Sequence, residues 1–186
     1  MPKFLIIFLL VLISCSNSDI NKLQFSDKGR DVPSFSSDSA YLFIEKQLEN
    51  GPRVPNTYGH VKTREYLTKT LKTYAGSNAV FTQYFQSEGY SSDTLQLANV
   101  IAAFNTSSPD RIMLAAHWDT RPRADQDSVR TVDAIAGADD GASGVGVLLE
   151  LARMFSENPP PIGVDIVLFD GEDYGTSGDL SNYFLG

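Results

Sequence analysis

Apolar positions along the chain recur with two periods, one typical of helices and the other of strands. Spacings of three and four residues predict a helix from residue 38, with Ser37 or Asp38 as N-cap and Gly51-Pro52 as its end. The same spacing predicts helices over residues 58–74 and 145–155. Runs rich in β-branched and aromatic residues predict four strands, over residues 79–85, 95–104, 112–116 and 164–169. This order of elements predicts an α/β domain.

The last two predicted strands are short, uninterrupted apolar runs separated by a helix. Such runs are typical of strands covered on both faces, and the order strand, helix, strand predicts a parallel crossover. We therefore expect a mostly parallel mixed sheet flanked by helices. A loop with two prolines, Gly-Pro-Arg-Val-Pro-Asn-Thr, occupies residues 51–57 and is expected to be rigid, because proline fixes φ and removes a backbone donor.

The N-terminal segment has the pattern of an export signal. Lys3 precedes an unbroken apolar run over residues 4–13, which is too short to span a membrane comfortably. Leu-Ile-Ser-Cys at residues 12–15 resembles a bacterial lipobox. We expect a signal peptide at residues 1–14, a lipid on Cys15 and a flexible polar tether at residues 15–33, before a domain over residues 34–186. An ordinary cleaved signal with an incidental cysteine is the alternative.

Composition and charge indicate a packed domain and argue against some classes of function. The 186 residues are 42% hydrophobic and 11% aromatic, which is typical of a packed soluble domain. A formal net charge of -8 argues against a nucleic-acid partner, because phosphate binding needs clustered Lys and Arg. Cys15 is the only cysteine, so the chain has no internal disulfide.

Ionisable side chains follow two of the predicted strands and precede the third helix. His117 and Asp119 come after one strand, Glu172 and Asp173 come after another, and Asp140 precedes the helix. Because loops at the carboxyl ends of parallel strands converge on one crevice, we expect these side chains to meet. Gathered carboxylates repel one another unless they are protonated or neutralised by a cation, and imidazole with carboxylate oxygens suits Zn²⁺. The simpler interpretation, helix caps and solvated turn residues, leaves their joint placement unexplained.

Adjacent acids suggest a division of roles at this site. In an extended segment Glu172 and Asp173 point to opposite sides, so one can bind a metal while the other carries a proton to or from substrate. The His-X-Asp spacing also allows Asp119 to support His117 from behind. Glycines at residues 137, 141, 144 and 146 permit a phosphate-loop interpretation, but no Walker lysine follows them and the nearby acids would repel phosphate.

Three strings stand out: His-Trp-Asp-Thr-Arg-Pro-Arg-Ala-Asp-Gln-Asp at residues 117–127, Gly-Ala-Asp-Asp-Gly-Ala-Ser-Gly-Val at 137–145 and Phe-Asp-Gly-Glu-Asp-Tyr-Gly at 169–175. Together they resemble the zinc aminopeptidase family, and more closely its glutaminyl-peptide cyclotransferase branch in the bacterial form. The loop at residues 51–57 strengthens the resemblance, which covers residues 34–186. It implies that Asp140 and Asp173 are zinc ligands and that Glu172 is the catalytic acid and base. One zinc is implied for a cyclase. Two are implied for an aminopeptidase, in which His117, supported by Asp119, binds the second.

The resemblance implies a substrate and leaves more than one activity open. The substrates are peptide or protein N-termini, either cyclised from glutamine to pyroglutamate with release of ammonia or hydrolysed at the first peptide bond. A lipid-tethered binding protein without catalysis is the third hypothesis, and the retained Glu172 argues against it. The family completes its zinc site with a histidine later in a longer domain, whereas this chain has only His60, expected to lie at the surface or in packing, and His117. We therefore expect a fragment whose domain is incomplete at the C-terminus and which is inactive alone.

Overall fold

The computed structural model describes residues 33–175 and 183–186. Within them the seven predicted helices and strands are confirmed, with ends that differ by a few residues. In chain order they are α1 (Ser37–Leu48), α2 (Tyr58–Ala75), β1 (Val80–Glu88), β2 (Thr94–Phe104), β3 (Arg111–His117), α3 (Ala142–Glu157) and β4 (Gly163–Phe169). The predicted signal peptide, Cys15 and nearly all of the predicted tether lie outside the described residues.

The first helix begins one or two residues earlier than predicted. Ser36 is the N-cap, because its hydroxyl accepts a hydrogen bond of 3.1 Å from the backbone N–H of Ser39. The prediction of Ser37 or Asp38 as the cap is therefore wrong, and both lie in the first turn. Thr57 caps α2 in the same way, so the proline-containing loop runs directly into that helix.

The four strands form one open mixed sheet in the order β1-β2-β4-β3. Strands β3 and β4 pair in parallel around α3, which confirms the crossover, while β1 with β2 and β2 with β4 pair antiparallel. A mixed α/β sheet flanked by helices is confirmed, but a parallel majority is not found among the described strands. For β1 and β2 the reason is their connection: a turn of five residues joins antiparallel strands, whereas parallel strands need a long crossover.

One face of the sheet meets the helices and forms the core. Alternate residues of β2 and β4 point into it, as expected for side chains that alternate across a strand. They pack against apolar positions of α2 and α3, and the cluster consists chiefly of Val100, Ala102, Phe104, Val164, Ile166, Leu168, Leu67, Leu71, Val145, Leu149 and Ala152. Helix α1 packs on α3 at Gly146, where a Cβ would lie only 2.9 Å from the Ala40 carbonyl oxygen.

Strand β3 lies at the edge of the described sheet and is less covered than predicted. Ile112 is 46% exposed and Met113 is 63% exposed, whereas five of the seven residues of β4 are buried. The prediction of coverage on both faces therefore holds for β4 and is wrong for β3. An apolar run shows that a strand has an apolar surface, but its place in the sheet is decided by distant pairing.

Candidate metal and active site

The predicted site residues meet where β3 and β4 end. His117 is the last residue of β3, Glu172 and Asp173 follow β4, and Asp140 lies in the turn before α3. His117 Nε2 is 2.9 Å from Asp140 Oδ1, and His117 Nδ1 is 3.7 Å from Glu172 Oε2. The parallel pairing of β3 with β4 thus places His117 beside Glu172, and the turn before α3 brings Asp140 to the same imidazole.

Asp119 is buried and organises the segment that follows β4. Its Oδ1 accepts a 3.0 Å hydrogen bond from the backbone N–H of Glu172, and its Oδ2 accepts a 3.1 Å bond from that of Asp173. The distance from Asp119 Oδ1 to His117 Nδ1 is 3.5 Å, too long for a good hydrogen bond. Asp119 therefore fixes the backbone under both acids and acts on His117 through its charge. The sequence did not reveal these hydrogen bonds, because they join residues more than fifty positions apart in the chain.

His117 lies among several negative charges. Burial opposes its protonation, but the carboxylates of Asp119, Glu172 and Asp140 outweigh that effect and raise its pKa to about 9. Its Nδ1 is buried and has no hydrogen-bond partner among the described residues. The raised pKa shows that the imidazole is stabilised in its positively charged form, so His117 marks a strongly negative environment.

Glu172 has a perturbed carboxyl group. Burial raises its pKa; His117 acts in the opposite direction, and the charges of Asp119, Asp173 and Asp140 add to the rise. The carboxyl group is about one third exposed, so it is both destabilised as an anion and open to a ligand. These are the properties of a group that can take up and release a proton.

Asp173 is bound by an arginine that the sequence did not single out. Burial raises its pKa, while the ion pair with Arg121 lowers it. Arg121 Nη1 donates to Asp173 Oδ1 at 2.8 Å, and the same guanidinium forms two bonds of 2.9 and 3.0 Å with Asp125. It also donates to the hydroxyl of Tyr183. The Thr-Arg-Pro-Arg-Ala-Asp string held this signal, since Arg121 and Asp125 are its first arginine and its aspartate.

Two pockets open on this site. A pocket of about 640 Å³ is mainly charged and contains Asp140 and Asp173. A second pocket, of about 310 Å³, is mainly apolar and contains His117 and Glu172 beside Phe169. The two candidate metal ligands therefore face one space, and the candidate acid and base faces the other.

The donor atoms at the site fit zinc in chemistry. Asp140 and Asp173 supply carboxylate oxygens to one pocket, and the imidazole of His117 touches Asp140. These are ligand types that zinc takes in enzymes, where three protein ligands usually leave one position open. Across residues 33–175 and 183–186, no group of three or more His, Cys, Asp or Glu side chains is close enough to hold an ion. The two candidate carboxylate ligands are each paired with a cationic neighbour, Asp140 with His117 and Asp173 with Arg121.

His60 lies apart from the site pockets, in the packing behind them. It is 1% exposed, stacks on Trp118 with ring centroids 4.5 Å apart, and its Nε2 lies 2.8 and 3.0 Å from the two oxygens of Asp170. Asp170 also accepts a 2.7 Å hydrogen bond from the backbone N–H of Ala98. The prediction of a packing role is confirmed, and this buried pair joins α2, β2 and the end of β4.

A mixed α/β sheet with an imidazole and clustered carboxylates at its strand ends is typical of metal-dependent enzymes. Residues 99–185 match Peptidase family M28. Glutaminyl cyclase from Bacteroides thetaiotaomicron, in a structure bound to N-acetylhistamine, is 46% identical with a TM-score of 0.74, over 78% of this chain and 50% of that chain. Glutaminyl cyclase from Porphyromonas gingivalis is 42% identical with a TM-score of 0.77, over 82% and 53% of the two chains.

Similarity extends to peptidases and to a curated cyclotransferase. A Zn-dependent exopeptidase from Parabacteroides distasonis is 41% identical with a TM-score of 0.75, over 83% of this chain and 53% of that chain. The glutaminyl-peptide cyclotransferase of Drosophila melanogaster is 25% identical, over 83% of this chain and 44% of that protein. These comparisons confirm the resemblance to the zinc aminopeptidase family and its glutaminyl cyclase branch. The chain spans about half the length of these solved structures and less than half of this curated relative.

Proposed function

We propose that this chain forms part of the active site of a zinc-dependent glutaminyl cyclase, which converts N-terminal glutamine of peptides to pyroglutamate and ammonia. The observation that carries the proposal is the state of Glu172. Its backbone is fixed by Asp119, and its carboxyl group is half-buried with a raised pKa. It stands beside the candidate metal ligands and is 3.7 Å from His117 Nδ1, whereas Asp173 accepts a 2.8 Å hydrogen bond from Arg121. Both cyclases and exopeptidases occur among the similar proteins, and cyclases are named more often.

Glu172 accounts for the proton transfers of cyclisation. The α-amine of the substrate attacks the carbonyl carbon of its own side-chain amide, and Glu172 accepts the proton that the amine loses. As the new ring C–N bond forms, the bond to the amide nitrogen breaks, and Glu172 returns the proton to that nitrogen, which leaves as ammonia. The raised pKa allows the carboxyl group to hold the proton between these steps. Asp140 and Asp173 would hold a zinc ion, and the chemistry that it would supply there is polarisation of the amide carbonyl.

The surroundings of His117 favour one zinc over two. A metal-bound histidine almost always donates its second ring N–H to a carboxylate, a carbonyl or water. Here the carboxylate best placed for that role, on Asp119, lies 3.5 Å from His117 Nδ1, too far for a good hydrogen bond. We infer that His117 supports the site by its charge and by its contact with Asp140, as the cyclase interpretation requires.

An aminopeptidase is the second candidate function. The Zn-dependent exopeptidase of Parabacteroides distasonis is about as similar to this chain as the cyclases are. In that reaction Glu172 would take a proton from the attacking water and deliver it to the leaving amine, so the same carboxyl group serves both mechanisms.

The proposal is tested by incubating the full-length protein with zinc and a peptide that begins with glutamine. We expect a product with every residue retained and a mass reduced by one ammonia. A matched peptide whose N-terminal amine is acetylated should remain unchanged, because it has no free nucleophile. A peptide shortened by one residue would establish the aminopeptidase instead, and an unchanged glutamine peptide would contradict the cyclase.

We also propose that Cys15 carries a lipid and anchors the exported protein to a cell-envelope membrane. The lipobox-like sequence before Cys15 supports this. Within residues 33–175 and 183–186, no helix is long and apolar enough to cross a membrane. Cys15→Ala is expected to move the protein from the detergent phase to the aqueous phase in detergent partitioning of a bacterial expression host. Ser16→Ala is the matched control and should stay in the detergent phase. An aqueous wild-type protein would show that Cys15 is incidental.

A further inference from the structure

Arg53 lies beneath the candidate metal site with its guanidinium completely buried. Its Nε donates to the Trp118 carbonyl at 3.0 Å, its Nη1 to the Ala136 carbonyl at 2.7 Å, and its Nη2 to the Gly137 carbonyl at 2.7 Å. The first carbonyl belongs to the segment that follows β3, and the other two belong to the turn that carries Asp140. One side chain thus joins the two chain segments whose contact is the His117–Asp140 pair.

The turn before α3 is shaped around this guanidinium. Gly137 has φ +63°, and a Cβ there would lie 2.7 Å from Arg53 Nη2 and 2.3 Å from a methyl group of Thr120. Gly141 has φ +90°, and its Cβ would lie 3.4 Å from the same nitrogen. Both glycines adopt backbone conformations that side chains disfavour, and the missing side chain of Gly137 leaves room for Arg53. The arginine therefore occupies a space that the fold keeps open for it.

The backbone of Arg53 and the loop that carries it are fixed by hydrogen bonds of their own. Its N–H donates to Thr120 Oγ1 at 2.8 Å, and its carbonyl accepts from the Thr120 N–H at 3.3 Å. Asn56, in the same loop, accepts from the Gln96 N–H at 2.8 Å and donates to the Thr94 carbonyl at 3.0 Å, which fixes the loop to β2. The loop is thus a fixed platform from which the guanidinium reaches the turn.

The charge of Arg53 is also placed to act on the site. Burial lowers its pKa to about 10, against the attraction of Asp119 and Asp140, so it remains a cation at neutral pH. Its three hydrogen bonds go to neutral carbonyl groups, so its charge is left to act on these nearby carboxylates. A fixed cation between the segments bearing Asp119 and Asp140 offsets the repulsion that would otherwise push the turn away.

We propose that Arg53 is a positioning residue, which sets the turn bearing Asp140 against the end of β3 and thereby prepares Asp140 for metal binding. The metal-binding part rests on the proposed function. Lysine retains the charge but cannot form a fork of three N–H bonds in a plane, so Arg53→Lys separates geometry from charge.

Two measurements on the full-length protein test this inference. In the metal-free Arg53→Lys variant, hydrogen exchange at the backbone amides of residues 136–142 is expected to accelerate about tenfold or more, the effect of losing a charged hydrogen bond. Zinc and cobalt affinities, measured by chelator competition, are expected to fall about 10–100-fold, as for other residues that orient a ligand. The visible spectrum of bound cobalt should also change.

Arg111→Lys is the matched control. Arg111 forks in the same way, to Asp165 and to the Asn105 carbonyl, but at the opposite end of β3 from His117. It should lower the melting temperature without changing metal affinity or exchange at residues 136–142. If Arg53→Lys behaves like Arg111→Lys, Arg53 is only structural and the inference is overturned.

A milder variant keeps the test decisive if Arg53→Lys does not fold. Thr120→Val removes the acceptor of the Arg53 N–H and retains the shape of the side chain, so we expect the same changes in smaller size. Unchanged exchange and affinity would again overturn the inference.

A wild-type protein that binds no metal would contradict the proposed function, whereas exchange in the metal-free protein would still decide whether Arg53 fixes the turn.

Discussion

Glu172→Gln is expected to reduce turnover of an N-terminal glutamine peptide about 10²–10⁴-fold, the usual contribution of a general acid and base. The amide has nearly the shape of the carboxyl group but cannot accept the proton of the attacking amine. The bond from the Glu172 backbone N–H to Asp119 does not involve the side chain and is retained. Because Asp140 and Asp173 are untouched, zinc content and melting temperature should remain those of the wild type. Initial rates and metal analysis of the purified variant measure both effects.

Glu157→Gln is the matched control for this substitution. Glu157 ends α3 and pairs with Arg153 on the surface, so the same chemical change there should leave turnover within error of the wild type. Turnover that survives in Glu172→Gln would remove Glu172 from the mechanism. Loss of turnover together with loss of zinc would instead make Glu172 a metal ligand, which contradicts its assigned role.

Asp119→Asn is expected to destabilise the protein by about 2–4 kcal/mol, because it disrupts charged hydrogen bonds in a buried place. The carboxylate accepts from two backbone N–H groups, those of Glu172 and Asp173. An asparagine has a single carbonyl oxygen, so its NH₂ group must face one of these N–H donors. Urea unfolding measures the loss, and turnover should fall as well, since both acids lose their backbone support.

Asp139→Asn provides the comparison for the stability measurement. Asp139 is exposed in the turn beside Asp140, so removing its charge should change the free energy of unfolding by less than about 0.5 kcal/mol. If Asp119→Asn is as stable as Asp139→Asn, the two backbone hydrogen bonds do not fix the loop after β4, and Asp119 acts on His117 alone.

Local patterns in the sequence predicted the elements of the fold but not all of their neighbours. The apolar spacing of α2 and the run in β4 are properties of a few consecutive residues, so both were found. The edge position of β3 depends on which strands pair with it, and in the described sheet only β4 does. As a result Met113 is exposed. Similarly, the antiparallel pairing of β2 with β4 joins segments about sixty residues apart and leaves no local signal.

For the candidate site, the location of the residues could be predicted from the sequence, but their long-range contacts could not. Placement after strand ends brought His117, Asp140 and Glu172 together in the prediction, and the structure places them together. Their individual roles, and that of Cys15, stay predictions. The contacts that the sequence hid are hydrogen bonds from side chains to distant backbone, as in Asp119 and Arg53. Such bonds depend on how loops fold back, which the residue types alone do not specify.

Trp118 gives the molecule an internal optical probe. It is the only tryptophan in the chain, it is fully buried, and it stands between His117 and Asp119 in sequence. Its indole N–H donates to the Ala98 carbonyl at 3.1 Å, and its ring stacks on His60. All tryptophan fluorescence of the protein therefore comes from Trp118, directly behind the site. The wavelength and intensity of its emission report changes in the packing around it without any added label.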